Sequence, residues 1–349
     1  MVSESGQTLI LAGHRLRLSG TATGEIAAAC AWMCPPARID APEETAEWTL
    51  IADWCSPPGS LSAQPGQWTL RLGERGWPRL ALADTGSGWS VVVGQYRRGE
   101  ELVRIEADRQ AQTTRVLIPA ALAGSARWVG WLVRVFFGTR MLAGGWLLLH
   151  AASVGMGGRA VLIGGAAGAG KSSLAHLACA QLGAAFMADD LTFIGRTSQG
   201  VGALGWPTRV CLPADLMEPG EGMDHELHDV SSTWRRQRWV LSPSQYSAAT
   251  RFRRGGLAPV AAAVLLEREG VGGRLEGLAA GPDHTAFMRD TLGLFGVPAA
   301  GRNGTDGQAL REVLKGVPLL HVDAGHDAAD IAPDLWNQVR GVLRTEVTA

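Results

Sequence analysis

Short apolar runs broken by turn residues fill the first third of the chain. Leu9-Ile10-Leu11, Trp48-Thr49-Leu50-Ile51, Trp68-Thr69-Leu70-Arg71-Leu72, Leu80-Ala81-Leu82 and Ser90-Val91-Val92-Val93 have the length and the β-branched or aromatic content of strands. Pro57-Pro58-Gly59 and Asp84-Thr85-Gly86-Ser87-Gly88 supply turns between them. Residues 1–120 therefore read as a β-rich domain. Its tryptophans read first as sheet packing and second as a surface for recognising a substrate.

From about residue 121 the period changes. Residues 121–142 carry Trp128, Leu132 and Val135 at helical spacing. Leu147 to Val154 reads as a strand, Gly157-Gly158 as a turn, and Ala160-Val161-Leu162-Ile163 as a strand buried on both faces. A glycine-rich stretch follows. Lys171 to Leu182 then forms a helix with Leu174, Leu177, Ala178 and Leu182 as its apolar stripe, and Gly183 is placed to end it. The strand Ala185-Phe186-Met187-Ala188 runs into Asp189-Asp190. The acidic-then-basic segment 215–237 reads as a mobile, solvated insertion. Beyond it, strands are expected at Ala261–Leu266 and Leu319–Val322, and helices at Asp283–Leu294 and Asp334–Leu343, with His321 and His326 structural. Alternating strands and helices make residues 121–349 an α/β domain.

Composition removes several function classes. Of 349 residues, 46% are hydrophobic and 19% charged, enough to build a packed core, and the net charge of −1 argues against a bulk-electrostatic nucleic-acid binder. The five cysteines are irregularly spaced, which suits a reducing cytoplasm rather than a disulfide framework. Neither Cys30-x3-Cys34 nor His225-x2-His228 has the further ligands of a zinc site. The apolar stretch 128–158 is cut by Arg134, Arg140 and Gly144-Gly145, so an amphipathic helix leading into a buried strand is expected instead of a membrane span. The N-terminus has no basic region followed by an apolar run, so no signal peptide is expected.

Gly165-Ala166-Ala167-Gly168-Ala169-Gly170-Lys171-Ser172 matches the P-loop pattern, with a strand leading in and an amphipathic helix leading out. Glycines let successive main-chain amides face phosphate oxygens, and the helix N-terminus adds its positive end. Of 32 Lys and Arg residues only Lys171 and Lys315 are lysine. A compact ammonium among phosphate oxygens is one role that a planar guanidinium does not fill. Lys171 is thus expected on the β and γ phosphates of ATP, and Ser172 on Mg²⁺. Asp189 and Asp190 end a strand with side chains on opposite faces, so one suits a magnesium ion and the other a proton from an attacking hydroxyl. His150 reads equally as a core histidine or as a neighbour of that centre. Signatures for guanine reading, transport ATPases, eukaryotic-type kinases and dinucleotide binding are missing.

The run Leu149-His150-Ala151-Ala152-Ser153-Val154, then Gly158 to Gly165, the glycine-rich loop, and Gly183 to Asp190 resembles the HPr kinase/phosphorylase family, and more so the HPr-kinase-related proteins found beside peptide-tailoring genes, including lasso-peptide kinases. Arg236-x-Arg238-Trp239 with Pro243 resembles a basic-aromatic segment of those kinases, and Arg254-Gly255-Gly256-Leu257 faintly echoes their Arg-Gly-x-Gly signature. Ser173 stands where true HPr kinases usually carry an acidic residue. The resemblance implies a P-loop kinase domain of the HPr kinase/phosphoenolpyruvate carboxykinase-like type. It implies phosphorylation of a serine hydroxyl on a peptide or protein by Mg-ATP. Nucleotide contacts fall on residues 165–173 and Arg238. Asp189 resembles the general base, Asp190 its partner near the metal and His150 their neighbour, with Arg236 or Arg238 closing over the site. A small-molecule alcohol as acceptor, a nucleotide-binding regulator without transfer chemistry, and a homo-oligomer all stay open. No nucleic-acid or membrane partner is expected.

Overall fold

The computed structural model describes residues 7–32, 37–39, 46–55, 68–71, 79–84, 88–94, 101–119, 126–166, 168–206, 210–217, 226–229, 237–241, 243–267, 307–323 and 328–345. These divide into two compact units, one of described residues up to Gly144 (Trp32 apart) and one from Gly145 onward. The expected helix over Asp283–Leu294 lies outside the described residues, as do Ala167, His225, Arg236, His326 and Cys34.

The first unit is a nine-stranded sheet. Its strands are β1 (Gln7–Leu11), β2 (His14–Ser19), β3 (Ala37–Ile39), β4 (Trp48–Cys55), β5 (Trp68–Arg71), β6 (Arg79–Asp84), β7 (Gly88–Gly94), β8 (Glu101–Asp108) and β9 (Thr113–Pro119), in the order β3-β1-β2-β4-β9-β8-β7-β6-β5. Helix α1 (Thr23–Trp32) follows β2, and α2 (Ala126–Ala143) packs against it. All five apolar runs read from the sequence fall on strands, with Leu72 outside the described residues. The strands not read from the sequence are β2, β3, β8 and β9: in β2 and β8 the buried Leu16, Leu18 and Ile105 stand between charged or polar neighbours, and in β9 the buried Val116 and Ile118 flank Leu117. Trp48 packs in this core and donates its indole N–H to Thr114 Oγ1 at 2.9 Å.

The second unit holds β10 (Leu147–Leu149), β11 (Ala152–Met156), β12 (Arg159–Gly165), α3 (Lys171–Leu182), β13 (Ala185–Ala188), β14 (Thr192–Thr197) and β15 (Gly200–Gly205). There follow β16 (Val210–Pro213), β17 (Glu226–Asp229), β18 (Gln237–Leu241), α4 (Pro243–Thr250), β19 (Ala258–Glu267), α5 (Gly307–Val313), β20 (Leu319–Asp323) and α6 (Ala328–Thr345). The order β10-β14-β15-β19-β12-β11-β13 makes one mixed sheet, with β20 paired to β19. Strands β12, β19 and β20 run parallel, and β11 is antiparallel to both β12 and β13. The carboxyl ends of β12, β13, β19 and β20 therefore point the same way.

Side chains alternate across this sheet. Val161, Ile163, Val264 and Leu266 face one cluster with Leu174 and Ala178 of α3 and Ala332, Leu335, Trp336 and Val339 of α6. Ala160, Leu162, Ala263 and Leu265 face the other, with Leu310 of α5. Helices on both faces explain why β12 carries no polar alternation. Two expectations change. The stretch 147–154 is two strands, broken at His150-Ala151. Within segment 215–237, β17 is a strand: it pairs with β18, and β18 with β16, in a separate three-stranded sheet.

Candidate functional site

The glycine-rich loop joins β12 to α3 at the carboxyl end of the sheet. Gly165, Gly168 and Gly170 adopt φ of 151°, 81° and 95°, values that side chains rarely tolerate. A Cβ on Gly165 would stand 2.9 Å from the Leu266 Cβ, so β19 also demands glycine there. Ala169 N–H donates to Ala166 O at 3.2 Å and closes the turn. Lys171 is buried, and its Nζ donates to Gly165 O at 3.0 Å and Ala166 O at 3.1 Å. Burial pushes the Lys171 pKa down. The Asp190 charge, then that of Asp189, opposes this, and Arg238 acts in the same direction as burial. The structure thus brings Arg238, expected as a nucleotide contact, within electrostatic range of Lys171.

The acid pair arrives from the next strands. β13 ends at Ala188, register partner of Ser153 in β11, which itself pairs with β12. Asp189 and Asp190 therefore stand on the β11 side of the loop. Ser172 Oγ donates to Asp189 O at 3.5 Å, tying the first turn of α3 to this strand end. The two carboxylates differ as the strand geometry requires. Asp189 is buried, and its Oδ2 accepts the Cys211 N–H at 3.0 Å, which pins β16 to the site. Asp190 has 38% of its side chain exposed, and its Oδ1 lies 2.9 Å from His150 Nε2.

The register of β10 and β14 explains that last contact. Leu149 pairs with Thr192, so the next residue out, His150, falls diagonally opposite Asp190. Thr192 Oγ1 donates to Ala151 O at 2.9 Å and lies 2.8 Å from Ser153 Oγ, all buried, and this link fixes the break between β10 and β11. Of the sequence candidates, Lys171, Ser172, Asp189, Asp190 and His150 converge on one strand-end cluster. Gly165, Ala166, Gly168, Ala169 and Gly170 form the loop, and Ser173 is buried in α3.

Several contributors carried no readable signal. The Cys211 contact uses a main-chain amide, and Thr192 and Ser153 act through ordinary hydroxyls. His176 of α3 is buried with Nδ1 2.9 Å from the Tyr246 hydroxyl of α4. Trp239 of the basic-aromatic segment donates to Met217 O at 2.9 Å. Arg254 bridges to Phe186 of β13, and Gly255 N–H donates to Phe186 O at 2.7 Å, so the Arg-Gly stretch runs along the acid-bearing strand.

The oxygen donors suit magnesium. A serine hydroxyl and two carboxylates beside a glycine-rich loop are the hard ligands that this ion takes alongside substrate phosphates. Among the described residues no group of three or more His, Cys, Asp and Glu is placed to hold a metal by itself, and no helix is long and apolar enough to cross a membrane.

No family model matches the chain, and no curated protein does. Among solved structures, the Hpr(Ser) kinase/phosphatase from Coxiella burnetii is similar over 35% of this chain and 65% of that one, at 16% identity and a TM-score of 0.23. At that level of likeness the functional reading rests on the site.

Proposed function

We propose that this chain is an ATP-dependent kinase with a hydroxyl acceptor, serine on a peptide or protein foremost. One observation carries the reading: Lys171 and Ser172 at the glycine-rich loop share a strand-end cluster with Asp189, Asp190 and His150. The resemblance in sequence over 147–195 supports the choice of acceptor.

In this reading the loop amides and the start of α3 hold the triphosphate, and Lys171 exchanges its carbonyl contacts for phosphate oxygens. Ser172 and one carboxylate of the acid pair would hold Mg²⁺, which would neutralise charge on the β and γ phosphates. The acceptor oxygen bonds to the γ-phosphorus, the bond to the β–γ bridging oxygen breaks with its electron pair, and ADP leaves. The acceptor proton goes to a carboxylate. The resemblance points to Asp189 as that base, whereas exposure favours Asp190, whose carboxylate His150 orients and solvent reaches. Asp189, buried on the Cys211 amide, suits the metal side and the framework. Arg238, close enough to influence Lys171, suits the transferring phosphoryl group.

The test incubates the full chain with Mg-ATP and serine-containing peptides, with free serine and simple alcohols in parallel, and reads phosphoryl addition by mass spectrometry. Peptide phosphorylation is expected, and Asp190→Asn should slow it about 10²–10⁴-fold while ATP still binds. Transfer only to the small alcohols selects a small-molecule kinase. ATP binding without any product selects a regulator, and absence of ATP binding overturns the reading.

A further inference from the structure

The site described above occupies one side of the loop strand. The order across the strand ends is β20, β19, β12, β11, β13. Asp189, Asp190 and His150 lie on the β11 and β13 side. On the opposite side, Leu266 of β19 is the register partner of Gly165, where the loop begins, and Glu267 is the next residue. Glu267 pairs in turn with Asp323 of β20, and His321 Nδ1 lies 2.7 Å from Glu267 Oε1. Both side chains face solvent, with 40% of Glu267 and 54% of His321 exposed. Ala328, at the start of α6, closes in on the same loop: a Cβ on Gly170 would stand 3.6 Å from its Cβ.

This arrangement gives the bound nucleotide a direction. If the γ-phosphate faces the acid pair, the opposite end of the triphosphate must leave the loop toward β19 and β20. Neighbouring strands stand about 4.8 Å apart, so both lie within roughly 10 Å of the loop strand, the reach of a ribose on a loop-bound triphosphate. Ligands in open α/β sheets bind outside the carboxyl ends of the strands, and a carboxylate near such an end takes ribose hydroxyls in dinucleotide sites. Glu267 has that position and chemistry. An ionised carboxylate offers about four lone-pair sites, so the His321 contact leaves acceptor capacity for a vicinal diol.

We propose that Glu267, oriented by His321, recognises the ribose hydroxyls of the nucleotide and makes the chain a nucleoside triphosphate enzyme rather than a general polyphosphate binder. The proposal rests on the kinase reading for its phosphate loop and adds the nucleoside end. Glu267 contacts substrate, and His321 positions it.

Calorimetry of the full chain with ATP, 2′,3′-dideoxy-ATP and inorganic tripolyphosphate tests it. Wild type should prefer ATP to the dideoxy analogue by about 10- to 100-fold, the worth of a hydrogen bond to a charged group. Glu267→Ala should lose that preference and keep its affinity for tripolyphosphate, which also reports an intact loop. His321→Ala should lose part of the preference, with His321→Gln recovering some of it. An unchanged ATP-to-dideoxy ratio in Glu267→Ala overturns the proposal, as does a loss that extends equally to tripolyphosphate. Wild type that binds neither ATP nor tripolyphosphate overturns the kinase reading itself, and this proposal falls with it.

Discussion

His150 Nε2 lies 2.9 Å from Asp190 Oδ1, at the point where β10 gives way to β11. The break in the strand is what frees the imidazole: a continuous strand would carry residue 150 into the ladder. The Thr192 hydroxyl on Ala151 O holds the break in place. His150→Ala is expected to leave ATP affinity unchanged and lower turnover about 10²-fold, the cost of letting a reacting group drift. His150→Gln should recover part of the loss, since its amide reaches the same carboxylate. Steady-state kinetics reads the split: a raised KM for ATP with unchanged kcat would place His150 in nucleotide binding instead.

His176 and Tyr246 tie α3 to α4, and through Phe186 to the acid-bearing strand. Tyr246 and Phe186 meet edge to face at 4.7 Å between ring centroids. Burial pushes the His176 pKa below 6.5, and its hydrogen bond with the Leu216 backbone opposes this. The folded state therefore holds the neutral imidazole. Above 6.5 neither state gains a proton and His176 adds no pH dependence. Below 6.5 the unfolded chain binds a proton that the folded chain resists, so stability falls with pH until the folded pKa is passed. Denaturation midpoints at pH 7.5 and 5.0 should differ by less in His176→Gln than in wild type. Tyr246→Phe leaves Nδ1 of His176 without this partner and should cost about 1–3 kcal/mol. A His176→Gln variant with an undiminished acid loss would remove His176 as its source.

Much of this centre was legible because its residues report themselves by type and spacing. The glycines, Lys171 and Ser172 were readable from the spacing of the motif, and the order of strand, loop and helix from the change in hydrophobic period. Asp189 and Asp190 were visible as a pair on opposite faces, but not which of the two is buried. What separates them is the Cys211 amide on one and His150 on the other, and both come from distant strands. Glu267 carried no signal and His321 read as structural: only the parallel register of β12, β19 and β20 sets them beside the loop. In β2 the apolar residues alternate in and out and never form a run, whereas Val116-Leu117-Ile118 of β9 is a run that went unread.

Gly205 marks where the sheet presses on the strand that carries the acids. A Cβ there would run into Met187 O, main chain that cannot yield without moving β13. Gly341 in α6 meets nothing within 4 Å, so a methyl group fits freely. Gly205→Ala is expected to destabilise by about 1–3 kcal/mol, as overpacking does. Gly341→Ala should stabilise by about 0.5–1 kcal/mol through helix propensity. Urea midpoints of the two variants check this pair of opposite signs. Equal shifts would mean that β13 has room to move.

Lys171 is the residue whose cost and use are most plainly opposed. Its ammonium is buried against Gly165 O and Ala166 O, and burial depresses its pKa despite two nearby carboxylates. A depressed lysine pKa means that the fold disfavours the charged form it must carry at neutral pH. Removing the charge should therefore spare stability while removing function. Lys171→Met is expected to melt at or above the wild-type temperature when no nucleotide is added. Adding ATP should raise the wild-type melting temperature, by the equivalent of about 2.7 kcal/mol at a hundredfold excess over Kd, and leave the variant where it was. Lys171→Arg should behave as the methionine variant does toward ATP, because a planar fork cannot sit where the ammonium meets both carbonyls. Differential scanning calorimetry with and without Mg-ATP decides between outcomes: ATP stabilising wild type and Lys171→Met alike would detach the nucleotide from this loop.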